Sequence, residues 1–177
     1  PGRNAHPHVI VVRSLSKSHA MTGWRLGWAV TTPSLASGLR DFVSHVTYGA
    51  PGFIQAAGVA AITGHHGEVP AMRAAYQERR DRFVAAISAI PKLSIINPSA
   101  GIFCMVDVRA TGLSGGEFAQ ALLDEQMVSV LSGSAFALEI DGFVRVSLCT
   151  SAERLEEAAD RMGRFVGALE NLSSTTS

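Results

Sequence analysis

The chain has 177 residues, of which 47% are hydrophobic and 17% are charged, and its formal net charge at pH 7 is zero. This length suits about one domain, and the composition argues against an intrinsically disordered chain. The neutral charge argues against broad electrostatic attraction to nucleic acid or an anionic membrane, so any ligand must be held by local chemistry.

The apolar runs of the sequence are short. Residues 9–12 and 102–108 fall well below the roughly 18 to 20 residues of a membrane span, and the N-terminus lacks a signal-peptide pattern. We therefore expect a cytoplasmic protein. Cys104 and Cys149 lie far apart in apolar segments, which predicts buried free thiols rather than a disulfide or a metal site.

The first part of the chain predicts two strands joined by a polar loop. Residues 8–13 form an apolar run of the type found in buried parallel sheets, and residues 26–31 form a second strand. Residues 14–23 are then a loop at a strand end, where ligands collect in open α/β sheets. Thr32, followed by a proline, predicts the start of a helix over residues 33–45.

The rest of the chain predicts two more helices and then an α+β pattern. The second of these helices, residues 69–90, carries an apolar stripe made of Met72, Tyr76, Phe83, Ile87 and Ile90. The other predicted elements are a helix over 54–62, strands over 93–96, 102–108 and 143–148, and helices over 114–123 and 151–172. Ser114 with Glu117, and Thr150 with Glu153, have the spacing of capping boxes at helix starts.

The first strand begins within a few residues of Pro1, with no earlier element to pair with it. A strand of about six residues cannot stand alone. We therefore expect an N-terminal half that precedes this sequence or comes from another chain.

The stretch "SLSKSHAMTGWRLGW", residues 14–28, contains side chains that suit catalysis and ligand binding. A lysine amine attacks carbonyl groups only in its neutral form, which a nearby cation favours, and Arg25 is the candidate cation beside Lys17. Arginine and serine also suit a phosphate, so the set fits pyridoxal phosphate, with its aldehyde on Lys17 and its phosphate on Ser14 and Arg25. The alternative is a solvent-exposed loop lysine near a structural arginine.

This stretch resembles the lysine signature of the class I and II aminotransferases, fold-type I enzymes that use pyridoxal phosphate. The matching positions are Ser14, Leu15, Ser16, Lys17, Ala20, Met21, Arg25, Leu26 and Gly27. The resemblance implies that Lys17 is the Schiff-base lysine and that Ser14, Ser16 and Arg25 contact the cofactor. The family's other cofactor contacts, a glycine-containing phosphate loop, a stacking aromatic residue and an aspartate for the ring nitrogen, precede the lysine.

Three later stretches, "YGAPGFIQAA", "AGIFCMVDV" and "SGSAFALEIDGFVRVSL", are similar to further segments of the family. The resemblance implies that Arg145 clamps the substrate α-carboxylate, a task that suits the planar fork of an arginine. It also implies that Tyr48 reaches the cofactor site of a partner subunit in a homodimer, with a buried packing tyrosine as the alternative. His65 and His66 are expected in a solvated loop rather than at a metal site.

The fold that the resemblance implies is α/β. Residues 1–67 would be the C-terminal part of a cofactor-binding large domain with a mixed, mostly parallel sheet, and residues 68–90 an interdomain helix. Residues 91–172 would form a small α+β domain, followed by a disordered tail over 173–177.

The implied activity is ping-pong transfer of an α-amino group from an L-amino acid to a 2-oxo acid. Several stretches are similar to the subfamily that uses arginine and pyruvate, and the alternative is an aspartate or aromatic aminotransferase with 2-oxoglutarate. A different class also stays open, the non-catalytic effector-binding domain of an aminotransferase-like transcription regulator. That reading would need a DNA-binding segment, which this sequence lacks.

Overall fold

The computed structural model describes residues 8–64 and 67–174, so His65, His66 and the last residues of the expected tail lie outside the described residues. The chain forms two compact units that divide between Ala71 and Met72. None of the described helices combines the length and the apolar composition that a membrane crossing requires.

The first unit is built on an antiparallel strand pair followed by helices. Its described elements are β1 (Val11–Ser14), α1 (Leu15–Ser18), a 3-10 turn (Thr22–Trp24), β2 (Gly27–Val30), α2 (Pro33–Val46) and α3 (Gly52–Thr63). The strand predicted over residues 8–13 is present in a shorter form, and its neighbour among the described residues is antiparallel. β1 starts three residues later, pairs antiparallel with β2, and is exposed because β2 is its one strand neighbour among the described residues.

The predicted loop over residues 14–23 also contains regular structure. Its first residues form α1, one helical turn that begins directly after β1, and its last residues enter the 3-10 turn. The helix predicted over residues 33–45 is confirmed as α2. Thr32 precedes it without a side-chain capping bond, so the proline at the first helical position is the local start signal.

The second unit is a four-stranded antiparallel sheet with helices. Its strands are β3 (Ser94–Ile96), β4 (Phe103–Asp107), β5 (Leu131–Ser132) and β6 (Phe143–Ser147), in the order β3-β4-β6-β5. Its helices are α4 (Glu68–Ser88), which begins in the first unit, α5 (Gly115–Gln126) and α6 (Ala152–Ser174). The sequence predicted every one of these elements except the two-residue β5.

The core of the second unit lies on one face of this sheet. Alternate residues of β4 and β6 point into it, as the period of two along a strand requires. Its members include Cys104, Val106, Val144 and Val146 from the sheet and Phe83, Ile87, Phe118, Leu122, Met162 and Phe165 from the helices. The other face of β4 and β6 is less buried and carries Phe103, Met105 and Arg145.

The capping box predicted at Ser114 is confirmed. The Ser114 hydroxyl accepts from the Glu117 amide at 3.2 Å, and the Glu117 carboxylate accepts from the Ser114 amide at 2.9 Å. The box predicted at Thr150 and Glu153 is wrong, because α6 begins at Ala152, which leaves Arg154 rather than a glutamate at the third helical position. Ser151 directly precedes the helix, and its hydroxyl faces the Arg154 amide at 3.4 Å.

Neither cysteine forms a disulfide, as predicted, but only Cys104 is buried. Burial raises the pKa of the Cys104 thiol to about 11. Cys149 is exposed, because Leu148 beside it takes the buried position after β6. The Tyr76 hydroxyl donates to its sulfur at 3.5 Å, and this contact raises the pKa of Tyr76.

An ion pair between α4 and α6 should make the stability of the second unit depend on pH. Arg82 donates to both carboxylate oxygens of Glu156, at 2.8 and 2.6 Å, and holds the pKa of that carboxyl below its ordinary 4.5. A lowered folded-state pKa adds stability above about pH 4.5 that is lost as the pH falls through the folded value. Thermal unfolding between about pH 6 and pH 3 should show a smaller loss for Glu156→Gln than for the wild type.

The control for this prediction is Asp160→Asn, which removes a negative charge from an exposed position of the same helix. No ion pair of Asp160 is present among the described residues. An equal flattening of the pH profile in both variants would contradict a specific effect of the Arg82 pair.

Candidate functional site

Ser14 joins β1 to the helical turn α1 and caps that turn. Its backbone is extended, and its Oγ accepts a hydrogen bond from the Ser16 amide at 3.0 Å. Serine favours this position because its hydroxyl satisfies an amide that the helix leaves unpaired. The cap turns the chain sharply at the end of the strand and starts the helical turn there.

The hydroxyl groups of this turn lie next to one another. Ser14 Oγ is 2.9 Å from Ser16 Oγ and 3.3 Å from the Leu26 carbonyl oxygen, and one hydroxyl hydrogen can serve only one of them at a time. The Ser18 hydroxyl donates to the Ser14 carbonyl at 3.3 Å. An anion placed at Ser14 and Ser16 could therefore receive hydroxyl hydrogens without breaking the cap.

Leu15 anchors the turn. Its side chain is 1% exposed, and its amide donates to the Leu26 carbonyl at 3.2 Å. Gly58 of α3 lies against it, since a Cβ at residue 58 would be 3.8 Å from the Leu15 side chain and would collide with that of Leu26. The turn is thus held by one buried leucine, one interstrand hydrogen bond and a close helix contact.

Lys17 lies in the same turn and is exposed. Residues two apart on a helix point to nearly opposite sides, so the burial of Leu15 directs Lys17 outward. The Lys17 amine therefore lies at the surface of the first unit, where a ligand can reach it.

Arg25 has a left-handed backbone with φ of 52°, a conformation that costs a non-glycine residue roughly 1–2 kcal/mol. Its Nη1 donates to the Thr22 carbonyl at 3.0 Å, which ties the side chain to the 3-10 turn. A guanidinium has five N–H donors, and the described residues accept from one of its nitrogens. The remaining donors are available to a ligand.

The strand pair therefore brings Ser14, Ser16, Lys17 and Arg25 into one segment of the first unit. The carbonyl of Leu26, the residue after Arg25, accepts a hydrogen bond from the Leu15 amide. This bond links the segment of Ser14, Ser16 and Lys17 to that of Arg25. One amine, one guanidinium and two hydroxyls suit a molecule that carries both a carbonyl and a phosphate, as pyridoxal phosphate does. The sequence did not single out Leu15, Leu26 or Gly58 as supports, because their role depends on a contact across the chain.

Tyr48 lies in the loop between α2 and α3 and is 94% exposed, with a left-handed φ of 56°. Tyr48 therefore does not pack among the described residues of its own unit.

Arg145 belongs to the second unit and lies on β6, opposite Met105 of β4 and Leu131 of β5. Its guanidinium carbon is 4.1 Å from the centroid of the Phe103 ring and 4.2 Å from that of the Phe136 ring. Neither phenylalanine was a predicted site residue. Phe103 could have been found from the strand register, whereas Phe136 comes from an irregular loop.

Most of this chain is similar to known proteins. The family model described as "Aminotransferase class I and II" matches residues 1–162. An arginine–pyruvate transaminase from Pseudomonas aeruginosa is 45% identical over 151 residues, which cover 85% of this chain and 38% of that protein. An aspartate aminotransferase from Bacillus sp. (strain YM-2) is 35% identical over 162 residues, which cover 89% of this chain and 41% of that protein.

The fold is similar to that of solved aminotransferases. The crystal structure of an aromatic aminotransferase from Pyrococcus horikoshii has a TM-score of 0.84 and 32% identity, and the match covers 91% of this chain and 43% of that one. The chain thus spans about two fifths of the length of the curated relatives it matches.

The close approach of the two strands at Gly27 gives a test of the support for Lys17. A Cβ on Gly27 would lie 2.6 Å from the Arg13 carbonyl oxygen, so alanine must separate the strands next to Ser14. Forced contacts of this kind cost roughly 1–3 kcal/mol, so Gly27→Ala should speed hydrogen exchange of the Leu15 amide by about tenfold.

Gly23→Ala is the matched control for this test. A Cβ on Gly23 has no atom within 4 Å, and the residue lies in the same stretch. Equal exchange rates at Leu15 in the two variants would show that the Gly27 contact does not hold the turn.

Proposed function

Because the chain belongs to the class I and II aminotransferases, we propose that it is the C-terminal part of a pyridoxal-phosphate-dependent transaminase. The observation that carries this proposal is the turn that Ser14 caps and that holds Lys17 exposed. Leu26, the residue after Arg25, is hydrogen-bonded to the start of the same turn through the Leu15 amide. The family uses pyridoxal phosphate, and the donor set of this turn fits that cofactor.

Bound pyridoxal phosphate supplies an aldehyde carbon that bonds to amino groups and a ring that withdraws electrons from the substrate α-carbon. Lys17 would hold the aldehyde carbon through Nζ until an amino acid replaces it. Once freed, Nζ would act as the general base that takes the proton from the substrate Cα and as the general acid that gives it up again. The exposed position of Lys17 supports this role, since the amine must reach both carbons.

Ser14, Ser16 and Arg25 would bind the phosphate. The two hydroxyls donate single hydrogen bonds, and the guanidinium adds a charge and a planar pair of donors. The restrained backbone of Arg25 and its bond to Thr22 support a fixed position for these donors.

Arg145 would bind the α-carboxylate that amino donors and 2-oxo acceptors share. Its position on the central strand β6 supports this role, because residues on regular strands are held more firmly than residues on loops. A bidentate contact with the carboxylate would fix the orientation of the substrate as well as its charge.

An N-terminal half of the same protein would complete the first unit and supply the residues around the cofactor ring. Large hydrophobic side chains exposed in this unit support that assembly, among them Val9, Ile10, Val12, Phe42, Val46, Phe53, Val59 and Ile62. We further propose a homodimer in which Tyr48 reaches the partner's cofactor site. Two cysteines without a disulfide agree with a location in the cytoplasm.

Labelling of the lysines tests the proposal directly. The chain contains two lysines, Lys17 and Lys92, and Lys92 forms an ion pair with Glu170 in the second unit. Pyridoxal phosphate added to the full-length protein and fixed with borohydride should modify the peptide of Lys17 and leave that of Lys92 unmodified. Lys17→Ala should lose this adduct and at least about a thousandfold in transaminase rate, since the base and acid are one group.

Lys92→Ala is the control and should keep both the adduct and the activity. An adduct that persists in Lys17→Ala would contradict the assignment of the lysine. An adduct on Lys17 without amino-group transfer would favour the non-catalytic effector-binding domain.

We propose arginine as the amino donor and pyruvate as the acceptor. The 45% identity to an arginine–pyruvate transaminase, against 35% to an aspartate aminotransferase, supports this choice. Assays of the full-length protein with arginine, aspartate and an aromatic amino acid, each with pyruvate and with 2-oxoglutarate, should give arginine and pyruvate a kcat/KM about tenfold or more above the others. Higher values for aspartate or the aromatic donor with 2-oxoglutarate would establish the alternative.

A further inference from the structure

Arg145 contacts aromatic rings from two different parts of the second unit. Its guanidinium carbon lies over the Phe103 ring at 4.1 Å and over the Phe136 ring at 4.2 Å. Contacts of this length are within the range in which a cation is attracted to the negative face of an aromatic ring. Two rings cannot fill the same space, so they cover different parts of the guanidinium.

The strand register places the first ring. Met105 is the direct cross-strand partner of Arg145, and Phe103 lies two residues away on the same face of β4. A diagonal neighbour at this offset is within reach of a long side chain. Phe103 therefore contacts Arg145 through regular sheet geometry.

A tight loop places the second ring. Phe136 follows the 3-10 turn Gly133–Ala135, and its amide donates to the Gly133 carbonyl at 2.8 Å. Gly133 packs directly on the backbone of Ile140, where a Cβ would collide with the carbonyl oxygen. The loop is closed at its base, and the Phe136 side chain is 50% exposed at its outer end.

The polar edge of Arg145 has no acceptor. Among residues 8–64 and 67–174, none accepts a hydrogen bond from the Arg145 guanidinium or forms an ion pair with it. The rings take up its apolar surface, and its N–H groups are left for a ligand. A carboxylate approaching these groups would meet a side chain whose rotamers are already restricted.

Phe143, at the start of β6, takes part in a similar contact between an arginine and an aromatic ring, and there the arginine also has a carboxylate acceptor. Arg109 lies over the Phe143 ring at 5.2 Å, and its Nε and Nη2 donate to the Asp107 carboxylate at 3.0 and 2.6 Å. This pairing holds the pKa of Asp107 below its usual range. Arg145 has the aromatic part of this arrangement twice, and no carboxylate in the described part of the chain pairs with it.

We propose that Phe103 and Phe136 are positioning residues that fix the Arg145 guanidinium for the α-carboxylate of the substrate. This inference rests on the proposed function of Arg145 and extends it to the two rings. Both residues act through Arg145, so their effect applies to every amino donor and 2-oxo acceptor, whatever its side chain.

The test uses the full-length enzyme and the half-exposed Phe136, where a substitution does not open the core. Phe136→Leu should raise the KM of both the amino donor and the 2-oxo acid by about 3- to 10-fold and change kcat less than about twofold. Phe136→Tyr retains a ring and should restore both KM values. Phe103→Leu should act in the same direction as Phe136→Leu.

Phe143→Leu is the matched control. It removes the ring beside Arg109 on the same strand and should leave both KM values unchanged. A rise in KM equal to that of Phe136→Leu would assign the effect to general loosening of β6 and overturn the proposal.

A double-mutant cycle with Arg145→Lys separates this proposal from the proposed function. Lysine keeps the charge but has no planar guanidinium, so Phe136→Leu should have no further effect on KM in that background. An equal effect in both backgrounds, or none in the wild type, would overturn the positioning role. Arg145→Lys with an unchanged KM would instead overturn the carboxylate role of Arg145 itself.

Discussion

The first unit depends on the burial of Leu15. Leu15 is the one buried hydrophobic side chain among the described residues of this unit, and its amide bonds to Leu26 across the strand pair. Because Leu15 faces inward and begins a single helical turn, Lys17 faces outward from the same turn. The position of the Lys17 amine therefore depends on the packing of Leu15, two residues earlier in the chain.

The two units hold their cationic groups in different ways. Arg25 is restrained by its own backbone and by a carbonyl three residues away, so its position is a local property of the chain. Arg145 is restrained by rings from β4 and from the loop after β5, so its position needs the assembled sheet. The proposed phosphate ligand of Arg25 would stay bound throughout a catalytic cycle, whereas the proposed carboxylate ligand of Arg145 would be exchanged, and the two arrangements suit these separate demands.

Much of the fold could be predicted from the sequence, because its signals are local. The proline after Thr32 marked the start of α2, Ser114 with Glu117 marked the start of α5, and the apolar stripe of α4 identified Phe83 and Ile87 as core residues. The errors arose where one sequence pattern is compatible with more than one structure. The apolar residues 9–12 predict a buried strand. The pattern does not tell which part of the protein covers that strand, and in the described chain β1 is exposed.

The sequence by itself determined the chemical groups, since the lysine, the arginines and the serines of the candidate site and their spacing are properties of residues 14–28 and 145. It also determined most helix and strand positions, because capping, proline and periodicity act within a few residues along the chain. The tertiary structure decided which groups meet: that Ser14 approaches Leu26, that Gly58 lies against Leu15, and that Phe103 and Phe136 enclose Arg145. These contacts join residues far apart in the chain, and their geometry follows from strand register and loop closure, which no short segment specifies.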